Sequence, residues 1–170
     1  MHFKVLIAAL AVSSIGAMAQ SRWPEQSTHQ ISKPISQLNP PDRHEILKQL
    51  QIVASQLRAE AIDQPNGRTF FVQSYGNELC GAAGNCSFWV FDRSHRILLD
   101  TIAQTAGYLS TSHDGRNDIL TAEHASAFEQ EETLWQFDGK HYKRSACTDV
   151  KYSELASKHA HPRITSIPCR

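Results

Sequence analysis

The chain carries no excess of either charge: 17 lysines and arginines stand against 17 aspartates and glutamates in 170 residues. No net field draws it onto nucleic acid or an anionic membrane surface, so a nucleic-acid partner is not expected. It has no cysteine before Cys80, and no apolar run after residue 19 long enough to cross a bilayer. The G-x-S-x-G elbow of a serine hydrolase, the H-E-x-x-H of a zinc peptidase and the repeated C-x-x-C of a zinc site are all missing. No segment repeats at a fixed period. What is present therefore has to be read from the compartment, the cysteines and the pattern of short apolar runs.

Residues 1–19 read as a signal peptide. Lys4 supplies the positive start, Val5 to Val12 the apolar run, and Ala17-Met18-Ala19 the small-x-small site whose cleavage leaves Gln20 first. No cysteine follows the cut to take a lipid, so no stable membrane insertion after signal removal is expected, and the location expected is periplasmic or secreted. In an oxidising compartment Cys80, Cys86, Cys147 and Cys169 read as disulfides before metal ligands. Four cysteines allow three pairings. The local one, Cys80 with Cys86 and Cys147 with Cys169, is favoured because Gly81-Ala82-Ala83-Gly84-Asn85 closes easily into a small loop.

About 150 residues remain after cleavage, a size that suits one domain burying roughly 70% of its unfolded surface. Residues 20–41, with Pro24, Pro34, Pro40 and Pro41, read as a flexible arm, and 42–170 as a single helix-plus-antiparallel-sheet domain. Asp42 with Glu45 forms a capping-box pattern. Ile46, Leu47, Leu50, Val53, Ala54, Leu57 and Ala61 then recur at helical spacing, so a helix is expected from Asp42 to Ile62, stopped by Pro65-Asn66-Gly67.

From Thr69 onward aromatic and β-branched runs alternate with turn residues. Strands are expected at Thr69 to Tyr75, Ser87 to Asp92, Arg96 to Thr101, Tyr108 to Thr111, Asp118 to Glu123, Thr133 to Phe137 and His141 to Cys147. Asp138-Gly139 reads as a two-residue hairpin turn, which sets Trp135 opposite Tyr142. Phe88-Trp89-Val90-Phe91 and Ile97-Leu98-Leu99, joined by a turn near Ser94, are apolar on both faces and need a cover on each side. The tail after Cys147 shows little periodicity. The fold class expected is α+β: a meandering antiparallel β-sheet covered by one N-terminal amphipathic helix and bridged by disulfides.

Ser110 to Asp118 has oxygen-bearing residues at alternate positions around Gly115, the outline of a calcium loop. Only Asp114 and Asp118 are charged, however, so they are weak metal candidates and a turn is favoured. His159 and His161 supply at most two imidazoles. His113-Asp114 and Glu123-His124 are neighbours whose side chains diverge on a strand, which argues against a shared acid–base role. Trp89, Trp135, Phe88, Phe91, Phe137 and Tyr142 could form a carbohydrate platform, but aromatic residues at strand spacing favour a core. No cofactor is expected.

Cys80-Gly-Ala-Ala-Gly-Asn-Cys86 leading into Phe88-Trp89-Val90-Phe91, Gly115-Arg116-Asn117-Asp118-Ile119-Leu120, His124-Ala125-Ser126-Ala127 and Phe137-Asp138-Gly139-Lys140-His141-Tyr142 together resemble a group of small exported bacterial proteins without an assigned activity, over about Phe70 to Cys147. Asp114-Gly115 to Leu120 also resembles one FG-GAP repeat, the blade unit of integrin-type propellers, which implies calcium binding and adhesion. Ser110 and Ser112 stand where that repeat opens with acidic residues. The function expected is an exported binding module with a protein or envelope ligand, contacted through Gly81, Gly84 and Asn85 of the cysteine loop. The alternative is a small secreted hydrolase or metal-dependent enzyme that draws on His113, Asp114, Asp118, Glu123, His124 and His141.

Overall fold

Alternation along the apolar runs decides the architecture. In the computed structural model, which describes residues 29–76, 78–152 and 162–169, the elements in chain order are β1 (His29–Gln30), α1 (Pro40–Leu50), β2 (Leu57–Gln64), β3 (Gly67–Ser74), β4 (Cys86–Asp92), β5 (Ile97–Ala103), β6 (Thr105–His113), β7 (Arg116–Ser126), β8 (Glu129–Phe137), β9 (Tyr142–Lys151) and β10 (Arg163–Ile167). The expected signal peptide, the start of the expected arm, and His159 and His161 lie outside the described residues. Every strand pair is antiparallel, and the strands form two sheets, β2-β3-β4-β5 and β1-β6-β7-β8-β9-β10.

β3 and β4 pair with Phe70 opposite Phe91, Phe71 opposite Val90 and Val72 opposite Trp89. Because successive strand residues point to opposite faces, the four-stranded sheet has one face of Phe71, Phe88 and Val90 and another of Phe70, Val72, Trp89 and Phe91. Each face has its own core. The first packs on Ile119, Trp135, Phe137 and Tyr142 of the six-stranded sheet, and the second on Ile35 and Ile46, with Leu47 and Leu50 at its edge. The three layers are thus helix, four-stranded sheet and six-stranded sheet, which explains runs that are apolar on both faces. A bulge sets Val90 opposite Leu99 and Phe91 opposite Ile97, so the extra residue Leu98 turns into the inter-sheet core beside Leu99. At Gln104 the chain passes from one sheet to the other, its N–H donating to the Ala122 carbonyl at 2.8 Å.

The helix is shorter than its sequence pattern. It runs from Pro40 to Leu50, and Gln51 ends it in the left-handed region at φ 55. The cap is Asn39, whose Oδ1 accepts from the Asp42 N–H at 2.9 Å, in place of the expected Asp42–Glu45 box. Leu57 to Gln64 is strand because its period is also two: Leu57 and Ala59 face the helix-side core while Arg58 is exposed. Pairing with all of β3 decided between the two periods. Asp42 reaches the β4–β5 turn, where its Oδ1 lies 2.9 Å from His95 Nε2, and Gln49 Nε2 donates to the His95 carbonyl at 2.8 Å.

Part of the expected arm is packed. Ile31 joins the inter-sheet core and Ile35 the helix-side core, while the Lys33 carbonyl accepts from the Ala59 N–H along the edge of β2. Phe137 faces Tyr142, and Trp135 faces Arg144. The expected two-residue turn is therefore longer, because the Asp138 carboxylate draws the Lys140 and His141 N–H groups into a wider loop. The tail supplies β10, which is exposed along most of its length and held on β9 by backbone pairing and by Cys169.

Candidate functional site

One end of the molecule gathers the chemistry of the cysteine loop. Cys80 and Cys86 are bridged with their Cα atoms 4.2 Å apart, and Cys147 and Cys169 with theirs 5.3 Å apart, the local pairing. Inside the first loop the Gly81 N–H donates to the Asn85 carbonyl and the Gly84 N–H to the Gly81 carbonyl, both at 2.8 Å. Gly84 sits at φ 77, where a side chain is strained. Asn85 holds the loop onto the other sheet: its Oδ1 accepts from the His124 N–H at 2.9 Å and its Nδ2 donates to the His124 carbonyl at 3.1 Å. The tip, Gly81 to Gly84, is exposed. Asn85 is thus the clasp of the loop, and the tip is what a partner could meet.

The exposed large apolar side chains of the described residues, Val53, Tyr75, Ile102, Phe128, Tyr152 and Ile164, belong to the same end. Val53 precedes β2 and Tyr75 follows β3. Ile102 faces Ser87 at the start of β4, Phe128 lies in the β7–β8 turn with its carbonyl accepting from the Tyr152 N–H, and Ile164 opens β10. Beside them Glu123, Glu131 and Asp149 stand opposite one another across β7, β8 and β9. Burial, and then the Glu131 charge, pushes the Glu123 carboxyl above its ordinary value, against the pull of Arg144.

At the opposite end the chain reverses tightly. Asp114 and Gly115 both take positive φ, 45 and 74, between β6 and β7, the favoured turn seen in the sequence. Asn66 of the β2–β3 turn lies across them, its Nδ2 donating to the Asp114 carbonyl. A Cβ on Gly115 would come within 2.6 Å of the Asn66 side chain. Asp118 is buried and its Oδ1 lies 2.6 Å from His113 Nδ1, so its partner is an imidazole instead of turn amides. His113 Nε2 lies 3.1 Å from Gln136 Nε2. Tyr142, whose hydroxyl donates to the Asn117 carbonyl at 3.0 Å, has its acidity weakened by burial. The Asp138 carboxyl is held well below the ordinary range by the His141 N–H, the Lys143 ammonium and the Lys140 N–H.

Of the residues suggested for an enzyme, only His113 and Asp118 are bonded to each other. Glu123 and His124 are near the far end of β7, about 23 Å along the strand from the His113 pairing position at Arg116. Among the described residues no group of three His, Cys, Asp or Glu side chains is placed to hold a metal ion. Trp89, Trp135, Phe88, Phe91, Phe137 and Tyr142 are all buried, so they are core and not a platform. A buried cluster of Gln64, Thr69 and Arg116 at the turn end escaped the sequence reading, because polar residues beside Pro65-Asn66-Gly67 and Asp114-Gly115 look like solvated turn flanks. No helix among the described residues is long and apolar enough to cross a membrane. Compared with known proteins, the chain matches no family model, no curated protein and no solved structure.

Proposed function

We propose that this chain is an exported binding module, working in the periplasm or outside the cell, and that it meets a protein or envelope ligand with the end that carries the Cys80–Cys86 loop. The observation that carries this reading is the coincidence of a cross-linked, hydrogen-bonded loop with an exposed tip and all the exposed large apolar side chains of the described residues. A loop already held in one shape loses little freedom on binding, and apolar side chains gathered at one end supply contact area. Two disulfides suit an oxidising compartment. The resemblance of the loop and the strands after it to small exported bacterial proteins agrees with this reading.

A hydrolase is the second reading, and one observation favours it: the buried Asp118 orients His113 as a carboxylate orients a general base. Gln136 stands at the other ring nitrogen, and no third group of the set joins the pair. The test uses a photo-crosslinking residue at Ala83 or Phe128, with Lys140 at the turn end as control, in cells that export the protein. A defined adduct from the first two positions and none from Lys140 is expected. Equal labelling from all three, or hydrolysis of a model ester lost in His113→Ala, overturns the binding reading.

A further inference from the structure

A sheet edge is a row of backbone N–H and C=O groups left without a neighbouring strand, and the two sheets of the described residues have four such edges. Three are covered, short or charged. Along β2 the chain before the helix closes the edge: the Ala59 N–H donates to the Lys33 carbonyl at 2.8 Å, and Pro34 bridges to Arg58. β1 is only two residues long. β5 carries an exposed carboxylate, Asp100, at its midpoint, a charge that opposes strand addition. The fourth edge is β10. Arg163-Ile164-Thr165-Ser166-Ile167 has no charge after Arg163, no glycine and no proline, and its first four residues are exposed. It is also fixed in place, paired with β9 along its whole length and tied by Cys169 to Cys147. An exposed, uncharged strand edge that is already held straight is ready to take another strand.

We infer that the open edge of β10 pairs antiparallel with β10 of a second copy of this chain, joining two six-stranded sheets across a two-fold axis. The strand itself selects this occupant. Pro162 and Pro168 stand on either side of it, and a proline has no N–H to give a ladder. Full overlap of the segment between them has one antiparallel register, with Thr165 opposite the partner's Thr165 and Ile164 opposite the partner's Ser166. Any slip loses pairs and brings a proline onto the ladder. In this register the two Arg163 side chains lie at opposite ends, about 14 Å apart along the strands, beyond the roughly 8 Å over which physiological salt leaves charges unscreened. A parallel pair would set them side by side. The central threonine pair and the cover gained by Ile164 add to the backbone bonds. A five-residue ladder is a small interface, so the association is weak and reversible. It does not rest on the reading of the cysteine loop, and crosslinking from Ala83 does not report on it.

Sedimentation of the oxidised protein over a rising concentration series tests the pairing, with amide hydrogen exchange of β10 measured at both ends of the series. The mass is expected to climb from one copy towards two, and exchange within β10 to slow several-fold at the high end. Two double variants at exposed positions then read the register. Ile164→Lys with Ser166→Lys sets ammonium against ammonium at both ends of the ladder, and the dimer is lost. Ile164→Lys with Ser166→Glu sets ammonium against carboxylate in the same two places, and the dimer returns. A parallel pair would set like charges together in both variants, and an interface elsewhere would respond to neither. A protein that remains one copy at every concentration overturns the inference. So does a dimer that survives the first double variant, or one that the second fails to restore.

Discussion

At the turn end, reversals after β2, β6 and β8 are locked by side chains on backbone: Asn66 over Asp114, Arg116 on the Asn66 carbonyl, and Asp138 on the amides of its own loop. At the loop end, one disulfide and the two bonds of Asn85 hold the loop, and exposed apolar side chains stand around it beside Glu123, Glu131 and Asp149. The first kind of construction pins its reversals with side chains on backbone, two of the bonds joining residues 48 and 50 apart in sequence. The second fixes a segment while leaving its tip and its neighbours open. The two ends thus differ in what they expose: the turn end presents polar reversals, and the loop end a clamped tip with exposed apolar side chains around it.

The turn end is most sensitive at Gly115. Gly115→Val places a β-branched residue at φ 74 and drives it into Asn66, so a loss of about 3 kcal/mol is expected in denaturant unfolding. Replacing Cys80 and Cys86 together by alanine costs about 2 kcal/mol by loop-closure entropy. Its sharper signature is loss of crosslinking from Ala83 with the fold retained, read by circular dichroism. Asn85→Ala removes both bonds to His124, a cost of about 1–2 kcal/mol, and speeds hydrogen exchange at Gly84 without breaking the disulfide.

The two smallest effects have opposite pH signatures. Burial raises Asp92, but the Ser94 hydroxyl, the Arg96 and Ser94 amides and the Arg96 charge outweigh it and leave its carboxyl below its ordinary value. Its contribution is therefore present above the unfolded value and lost as pH falls through the folded one. Asp92→Asn costs about 1 kcal/mol at pH 7 and nothing in acid, measured by unfolding across pH. Glu123 is raised, so its charge opposes folding, and the stability linked to its proton is complete below the unfolded value and lost as pH rises through the folded one. Glu123→Gln gains about 0.5 kcal/mol at pH 7, from relief of the Glu131 opposition, and the gain fades in acid.

The strands from β3 to β9 were legible because aromatic and β-branched runs are broken there by turn residues, and the disulfides because Gly81 to Gly84 can close a short loop. The helix was overextended because Val53, Ala54, Leu57 and Ala61 satisfy a helical period as well as Leu57 and Ala59 satisfy a strand period; only pairing with β3 separates them. β10 was illegible for a different reason: its exposed residues are strand through backbone bonds to β9, which composition does not encode. Two sheets instead of one follow from the corner at Gln104, a single residue with no turn signature. Of the candidate site, the loop was readable from its cysteines, but the roles of Asn85 as clasp and Arg116 as buried cation depend on strands brought together from distant sequence.

The disulfide and the hydrogen bonds inside the loop predict an exposed Gly81–Gly84 tip held in one conformation. Backbone 15N relaxation of the oxidised protein measures this most directly. Order parameters at Gly81, Ala82, Ala83 and Gly84 close to those of β4, about 0.8 or higher, are the predicted result. Values below about 0.6 at these residues, with the disulfide intact, would contradict it.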